Sequence, residues 1–580
     1  MKLIKCILAF SVIIALGCGG NKNNTNDSSD TNVNKSDEQI IDSSRLQNQI
    51  EKFAEYLKAA EQGDAEAQYK VGKCYYDGDG VEQSDAKAVE WFTKAAELGN
   101  ADGQNGLGCC YYNGEGVEKS YTKAVEWYRK AIEQGNAKAQ CNLGICYHNG
   151  NGVEKSHTKA VEWFRKAADQ GCAPAQRYLG WSYEFGKGVE KSYTRAVELY
   201  TKASEQGDAI AQRLLGICYY DGIGVNQSYV KAVEWYTKAA EQGDAIAQSL
   251  LGECYYSGIG VEISNTKAVE WYTEAAEQGD AGVLFRLGYF YYNGQGVDKS
   301  YAKAVELFTK AAEQGNADAQ YFLGKIYNNG DSVRQSYTKA VEWYTKAAEQ
   351  GYASAQRSLG DCYYEGNGVE QSYTKAVEWY RKAAEQYNHE AQLKLGECYF
   401  YGIGVEQSYA KAVEWYRKAA ELYDCDAQIK LGECYYEGQG VKQSYTEAFR
   451  WFKEAAERGY SEPRYRLGLC YYNGQGIKQS YTEAAKWFEM AANQGSTDAQ
   501  NKLGFCYYLG KGVEQSDSLA VEWFMKAAKQ GNAEAQYYLG VCYTYGDGVE
   551  HSDREASRWY RKAALQGNKE AQEALKLLKK

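Results

Sequence analysis

Apolar and polar residues follow a helical period along most of this chain, and glycines interrupt that period at regular places. Within residues 208–243, Leu215 and Tyr219 stand at positions i and i+4, the spacing that puts side chains on one face of a helix. Gly222 follows, and a glycine at that place closes a helix in the left-handed conformation. Ser228 is then a typical N-cap for a second helix. The pattern therefore predicts two helices joined by a turn.

This pattern of 36 residues recurs fourteen times in unbroken register between residues 64 and 567. A glycine in the middle of a helix costs roughly 1 kcal/mol relative to alanine, so small residues at fixed places indicate close helix–helix approach. One hairpin cannot bury its own apolar face, whereas stacked copies can. We therefore predict an all-α fold, an α/α superhelical solenoid of about fourteen repeats. Six positions hold the same residue in every copy, namely those of Gly216, Tyr219, Gly222, Ser228, Ala232 and Ala239.

The repeat reads A-x-A-Q-x-x-L-G-x-x-Y-x-x-G-x-G-V, followed by K-A-x-x-W-Y-x-K-A-A-E-Q-G. This pattern resembles the Sel1-like repeat, a relative of the tetratricopeptide repeat, and the resemblance covers residues 64–567. The resemblance implies an α/α superhelix that serves as an adaptor for protein partners. It also implies that some bacterial members are secreted or attached to a membrane.

The first residues of the chain differ from the repeats. Two lysines precede an apolar run at residues 6–16, which has the layout of a secretory signal and is too short to span a membrane as a mature helix. The ending Ala-Leu-Gly-Cys resembles a bacterial lipobox, in which Cys18 becomes the lipidated first residue, although leucine is usual where Ala15 stands. We predict a lipoprotein-type signal peptide over residues 1–18. An ordinary signal peptide cut nearby and an uncleaved anchor are the alternatives.

The segments beside the repeats complete the predicted layout. Residues 19–45 are polar with almost nothing apolar, which predicts a disordered tether. Residues 46–63 match a second helix alone and residues 568–580 a first helix alone, so we predict a capping helix at each end. Together with the lipid anchor, this layout predicts a protein outside the cytoplasm. It would be attached to a bacterial membrane at the periplasmic face or the cell surface.

Eleven of the seventeen cysteines occupy one position of the repeat, next to the tyrosine that all copies share. Equivalent positions on neighbouring helices lie ~8–10 Å apart, whereas a disulfide requires Cα atoms within about 7 Å of each other. We therefore predict that these cysteines are small buried apolar residues. They are Cys74, Cys110, Cys146, Cys218, Cys254, Cys362, Cys398, Cys434, Cys470, Cys506 and Cys542.

No catalytic or metal-ligating set stands out from the repeat background, so we predict no enzyme activity, no cofactor and no metal. Cysteine-rich Sel1-like proteins, to which weak β-lactamase activity has been ascribed, pair cysteines at positions that correspond here to Ala240 and Gln248. Because those cysteines are missing, a β-lactamase-like enzyme is the least favoured interpretation. The net charge of −11 without a basic block argues against nucleic acid as a partner.

The positions that vary between copies form one continuous stripe along the first helix of the repeat. The resemblance implies that first helices line a concave wall, and such walls are extended binding surfaces. Apolar and aromatic side chains with scattered arginines are typical of binding hot spots, and the alternative is that they pack on neighbouring first helices and expose little. The predicted partner-binding residues are Arg177, Tyr178, Trp181, Ile210, Arg213, Leu214, Ile217, Ile246, Leu250, Phe285, Arg286, Tyr289, Tyr321 and Phe322.

Further along the chain the same stripe becomes charged. The leading hypothesis is a membrane-tethered, non-enzymatic scaffold that binds a protein or peptide along its concave face. The alternative is an envelope protein that binds glycan or peptidoglycan, because the chain has 54 tyrosines and 13 tryptophans. The charged positions are Asp361, Lys394, Glu397, Lys430, Glu433 and Arg466.

Overall fold

A computed structural model describes residues 35–578 of the protein, with the exception of residue 332. This part of the chain consists of α-helices joined by short turns and contains no β-strand. The predicted all-α solenoid of helical hairpins is confirmed. The chain divides into two compact units, with the boundary between residues 299 and 300.

The helices alternate between the first and the second helix of each repeat. Those of the first unit are α1 (Lys35–Glu61), α2 (Ala65–Asp77), α3 (Asp85–Glu97), α4 (Ala101–Asn113), α5 (Tyr121–Glu133), α6 (Ala137–Asn149), α7 (His157–Asp169), α8 (Ala173–Phe185), α9 (Tyr193–Glu205), α10 (Ala209–Asp221), α11 (Tyr229–Ala240), α12 (Ala245–Ser257), α13 (Asn265–Ala276) and α14 (Ala281–Asn293). Those of the second unit are α15 (Tyr301–Glu313), α16 (Ala317–Asn329), α17 (Tyr337–Glu349), α18 (Ala353–Glu365), α19 (Tyr373–Glu385), α20 (His389–Tyr401), α21 (Tyr409–Glu421), α22 (Cys425–Glu437), α23 (Tyr445–Ala456), α24 (Ser461–Asn473), α25 (Tyr481–Asn493), α26 (Thr497–Leu509), α27 (Asp517–Lys529), α28 (Ala533–Tyr545), α29 (Asp553–Leu565) and α30 (Lys569–Leu577).

Each hairpin depends on a close approach of its two helices. A Cβ atom added to Gly216 in α10 would lie 2.5 Å from the ring of Tyr236 in α11 and 3.2 Å from the carbonyl oxygen of Ala232. No side chain fits in that space, which explains the glycine in mid-helix. Ser228 begins α11 as its N-cap, with Oγ accepting from the backbone N–H of Lys231 at 3.4 Å.

Buried glutamines connect each hairpin to its neighbours. The side-chain amide of Gln212 donates to the carbonyl oxygen of Ser204 at 3.1 Å, and its Oε1 accepts from Gln242 at 2.7 Å. One repeat earlier, the Oε1 atom of Gln176 accepts from Gln206 at the same distance of 2.7 Å. A buried amide without partners costs free energy, so these bonds hold successive hairpins in one register.

Ten of the eleven cysteines in the shared position are buried, and Cys74 in the first repeat is half-buried. Burial raises the pKa of the Cys146 thiol to about 12 and that of Cys506 to about 11. These thiols therefore stay protonated at neutral pH and pack as small core residues.

The N-terminal helix is longer than the sequence pattern predicts. It begins at Lys35 rather than at residue 46, so the predicted tether does not extend over residues 35–45. The later part of α1 packs against α2, and adding turns to an existing helix costs much less than starting one. Residues 1–34 lie outside the described part of the chain, and with them the predicted signal peptide, the lipidation site Cys18 and the rest of the predicted tether.

Candidate functional site

Two of the predicted partner-binding arginines lie in the interior of the first unit. The Nε atom of Arg177 is 3.1 Å from Oδ1 of Asp208, and that of Arg213 is 3.0 Å from Oδ1 of Asp244. The side chains in both pairs are only 10–11% exposed. Each aspartate is the N-cap of the next first helix. Their guanidinium groups bind across a junction between repeats, which favours a structural role over the predicted contact with a partner.

Ile217 belongs to the core as well. It is 8% exposed and packs in one apolar cluster with Tyr236 and Leu251. This packing favours a core role for Ile217 over the predicted contact with a partner.

The other predicted partner-binding residues are half-buried, and none is exposed. Tyr178 stacks on Phe164 with ring centroids 5.2 Å apart, and Tyr321 lies 5.3 Å from the ring of Tyr352. This packing agrees better with the stated alternative, in which the side chains expose little, than with an open binding surface. They are Tyr178, Trp181, Ile210, Leu214, Ile246, Leu250, Phe285, Arg286, Tyr289, Tyr321 and Phe322.

An open groove of about 650 Å³ lies within the second unit, across the first helices of four consecutive repeats, α18, α20, α22 and α24. All six residues of the charged part of the stripe line it. Leu393 and Ile429 add an apolar surface. The remaining lining residues are Arg357, His389, Glu390, Asp424, Asp426 and Glu462.

The groove is acidic. Seven carboxylates line it against four lysines and arginines, which leaves a net charge of −3 with His389 neutral. The carboxylates are Asp361, Glu390, Glu397, Asp424, Asp426, Glu433 and Glu462, and the cations are Arg357, Lys394, Lys430 and Arg466.

Two arginines join neighbouring helices of the groove. Arg357 in α18 bonds Asp361 on its own helix at 2.6 Å and Glu390 in α20 at 2.8 Å. Arg466 in α24 bonds Glu433 in α22 at 3.0 Å. These ion pairs connect α18 to α20 and α22 to α24, and they also occupy the arginines.

The two lysines of the groove are occupied in the same way. Nζ of Lys394 lies 3.0 Å from Glu397, and Nζ of Lys430 lies 3.2 Å from Glu433. Partial burial lowers the pKa of each lysine, but the adjacent glutamate outweighs that effect, so both pKa values lie above the ordinary range. Every cation of the groove thus has a carboxylate partner. Asp426, by contrast, is exposed and forms no ion pair within the described part of the chain.

Two tyrosines beside the groove depart from the repeat. Tyr387 and Tyr423 occupy the position that holds glycine in every other described copy, and they keep its left-handed backbone with φ of +63° and +67°. Their side chains are 77% and 67% exposed. A left-handed residue other than glycine costs about 1 kcal/mol or more. Tyr423 directly precedes Asp424, and Tyr387 lies two residues before His389, so both stand next to residues that line the groove.

Neither a membrane-spanning helix nor a metal cluster is found in the part of the chain that the structure describes. No helix there is both long and apolar enough to cross a membrane. No group of three or more His, Cys, Asp or Glu side chains within residues 35–578 is placed to hold a metal ion.

Comparison with known families identifies the repeat. A family model described as the Sel1 repeat matches fourteen segments, from residues 65–100 to residues 533–568, with short gaps at 281–282 and 461–463. The chain belongs to the Sel1 repeat family. A solenoid of Sel1 repeats is typical of protein–protein interaction scaffolds.

Two solved structures are similar to this chain. A protective antigen from uropathogenic Escherichia coli strains, described as displaying an SLR fold, is 36% identical with a TM-score of 0.62, and the match covers 82% of this chain and 95% of that chain. A Sel1 repeat protein from Oxalobacter formigenes is also 36% identical, with a TM-score of 0.44 and coverage of 53% and 89%. A search of curated proteins found no match.

Proposed function

We propose that this Sel1 repeat protein is a scaffold, tethered to a membrane outside the cytoplasm, whose groove binds a cationic segment of a partner protein. The observation that carries the proposal is the acidic groove across α18, α20, α22 and α24. Its carboxylates come from four successive repeats, so they are spread along a line rather than gathered at one point. Such a line suits an extended peptide or one face of a helix.

The ion pairs already present in the groove favour a cationic partner, because they occupy the cations and leave carboxylates exposed. An anionic partner would have to separate Lys394 or Lys430 from the glutamate that holds it. A cationic side chain instead meets Asp426, which has no ion pair within the described residues, and the exposed side chains of Glu390 and Glu462. Its aliphatic stem would lie against Leu393 and Ile429, as lysine and arginine stems do on apolar surfaces.

Binding of a synthetic peptide tests the groove. We expect a fluorescently labelled peptide of alternating lysine and alanine to bind the full chain, and the glutamate–alanine peptide of equal length not to bind. The affinity should fall as salt is added, because exposed charges are screened. Equal binding of the two peptides would contradict the proposed cationic partner.

The two exposed tyrosines provide a test that changes no charge. Replacing Tyr387 and Tyr423 by glycine restores the residue that the left-handed backbone favours, so stability should stay equal or rise by up to about 1 kcal/mol per site. We expect peptide binding to weaken at the same time, because two large contact surfaces beside the groove are lost. Urea unfolding and fluorescence titration measure the two effects. Tyr545→Ala removes a 75% exposed tyrosine from the same unit and serves as the control; an equal effect on binding would argue against a role for the pair.

The proposed membrane tether depends on lipidation of Cys18, and a separate experiment tests it. We expect cells fed an alkyne-labelled fatty acid to attach the label to the wild-type protein, which should partition into detergent. Cys18→Ser should lose both properties, because the thioether that carries the lipid cannot form. Unchanged labelling and partitioning of the variant would contradict the proposed anchor.

A further inference from the structure

Two cysteines outside the shared core position meet at the junction between the third and the fourth repeat. Cys141 lies in α6 and is 3% exposed. Cys172 is the N-cap residue of α8 and is half-buried. Their thiols form a hydrogen bond with each other. Cys141 belongs to a buried apolar cluster of the first unit, and Cys172 packs against that cluster.

The same two positions are linked in the next two repeats. One repeat further they hold Arg177 and Asp208, and two repeats further Arg213 and Asp244, and both pairs are buried ion pairs. Three successive junctions of the first unit thus carry a side-chain link at one place. At the first of them the linking groups are thiols.

Cys172 also lacks the usual function of its position. Aspartate, asparagine or serine accepts a backbone N–H bond at most first-helix N-caps, whereas Cys172 makes no such side-chain bond. Replacing a good N-cap costs about 1 kcal/mol. Cysteine at this position is therefore a poor cap, and its thiol also interacts with Cys141.

We propose that Cys141 and Cys172 form a disulfide that links α6 to α8 when a small disulfide such as oxidised glutathione is available. In the first step the Cys172 thiolate attacks one sulfur of oxidised glutathione, which forms a mixed disulfide and releases one glutathione thiolate. In the second step Cys141 loses its proton and attacks the Cys172 sulfur, which releases the second glutathione. Two protein thiols are oxidised and one glutathione disulfide is reduced to two thiols.

The order of the two steps follows from access and acidity. Cys172 reaches the surface, whereas Cys141 is buried behind it. The hydrogen bond from Cys141 lowers the pKa of Cys172 to about 7, and the pKa of Cys141 is raised well above its ordinary value. The thiolate is the attacking form, so Cys172 reacts first and Cys141 resolves the mixed disulfide.

Treatment of the folded full chain with oxidised glutathione tests the proposal. We expect mass spectrometry of a non-reduced digest to show the peptide of Cys141 joined to that of Cys172. Cys141→Ser should retain one glutathione on Cys172, and Cys172→Ser should leave Cys141 unmodified. Cys110 and Cys146, two buried cysteines of neighbouring repeats, should stay reduced and serve as internal controls.

Two results would overturn the proposal. One is the absence of the joined peptide from the wild-type protein. The other is glutathione addition to Cys141 in the Cys172→Ser variant, at the rate at which the wild type forms its disulfide. Cys141 would then react without Cys172, which contradicts the proposed order of the two steps. A gain of stability provides an independent readout, because a cross-link restricts the unfolded chain. The oxidised wild type should unfold at a higher urea concentration than the reduced form, and Cys172→Ser should show no difference.

Discussion

Replacing Asp244 by alanine is expected to destabilise its part of the first unit by about 3 to 4 kcal/mol. Asp244 has two functions: Oδ1 accepts from the backbone N–H of Ala247 at 2.8 Å, and Oδ2 accepts from Nε of Arg213 at 3.1 Å. Loss of an N-cap costs about 1 kcal/mol. Breaking a buried ion pair costs about 3 kcal/mol or more, because the remaining charge is left without a partner.

A neighbouring repeat supplies the matched control. Asp280 caps α14 through the backbone N–H groups of Gly282 and Val283. The residue one repeat after Arg213 is Ser249, so Asp280 has no arginine to pair with at that position. Asp280→Ala should therefore lower the free energy of unfolding only by the contribution of the cap, about 1 kcal/mol. The difference between the two variants isolates the contribution of the buried pair.

A double variant separates the loss of the ion pair from the cost of leaving the Arg213 guanidinium buried without a partner. Arg213→Met in the Asp244→Ala protein removes the unpaired guanidinium and should recover part of the lost stability. Hydrogen exchange of the α12 amides measures the effect, since about 3 kcal/mol corresponds to roughly a hundredfold more frequent opening. Equal acceleration in Asp244→Ala and Asp280→Ala would contradict the importance of the pair.

The fold could be predicted because its determinants are local and repeated. Fourteen copies of one pattern expose the positions that cannot vary, and each has a local physical cause. Gly216 leaves space for the Tyr236 ring, and Ser228 caps the helix that carries this tyrosine. Neither argument requires knowledge of distant contacts. The helical extension at residues 35–45 escaped the prediction because its composition is polar and the helix that it continues is fixed by packing.

The binding surface could be predicted only in part, because helical periodicity identifies a face but not its neighbour. The position of Arg213 varies between copies, and the sequence leaves open whether such positions contact a partner or pack on neighbouring first helices. The structure brings this residue to Asp244 of the next repeat. A signal exists in the sequence: arginine at this position occurs together with aspartate 31 residues later in two successive copies. Pairs compared across repeats would have indicated a structural contact.

The charged stripe was visible in the sequence, but its importance depends on geometry. Residues such as Glu397 and Glu433 stand 36 positions apart, and only the stacking of hairpins brings them along one groove. The tyrosines at 387 and 423 could have been noticed, since they replace a glycine that all other described copies keep. A costly backbone at an exposed site is a reason to search for function there.

Reversing two charges of the groove is expected to weaken binding of the lysine–alanine peptide at least tenfold, or about 1.4 kcal/mol. Glu397→Lys with Glu433→Lys turns attraction into repulsion at the centre of the carboxylate line. The binding constant is measured by fluorescence titration at moderate salt, about 0.1 M. Glu397→Gln with Glu433→Gln should have a smaller effect in the same direction, because it removes attraction without adding repulsion.

A second double variant decides whether the site or the overall charge is responsible. Glu370→Lys with Glu406→Lys changes the net charge by the same amount within the same unit, at exposed positions that do not line the groove. A peptide attracted only by the acidic protein as a whole would respond equally to both charge reversals, and that result would contradict a groove-specific site. Because screening limits distant charges to about 10 Å at moderate salt, binding in the groove predicts a large loss for the first variant and little change for the second.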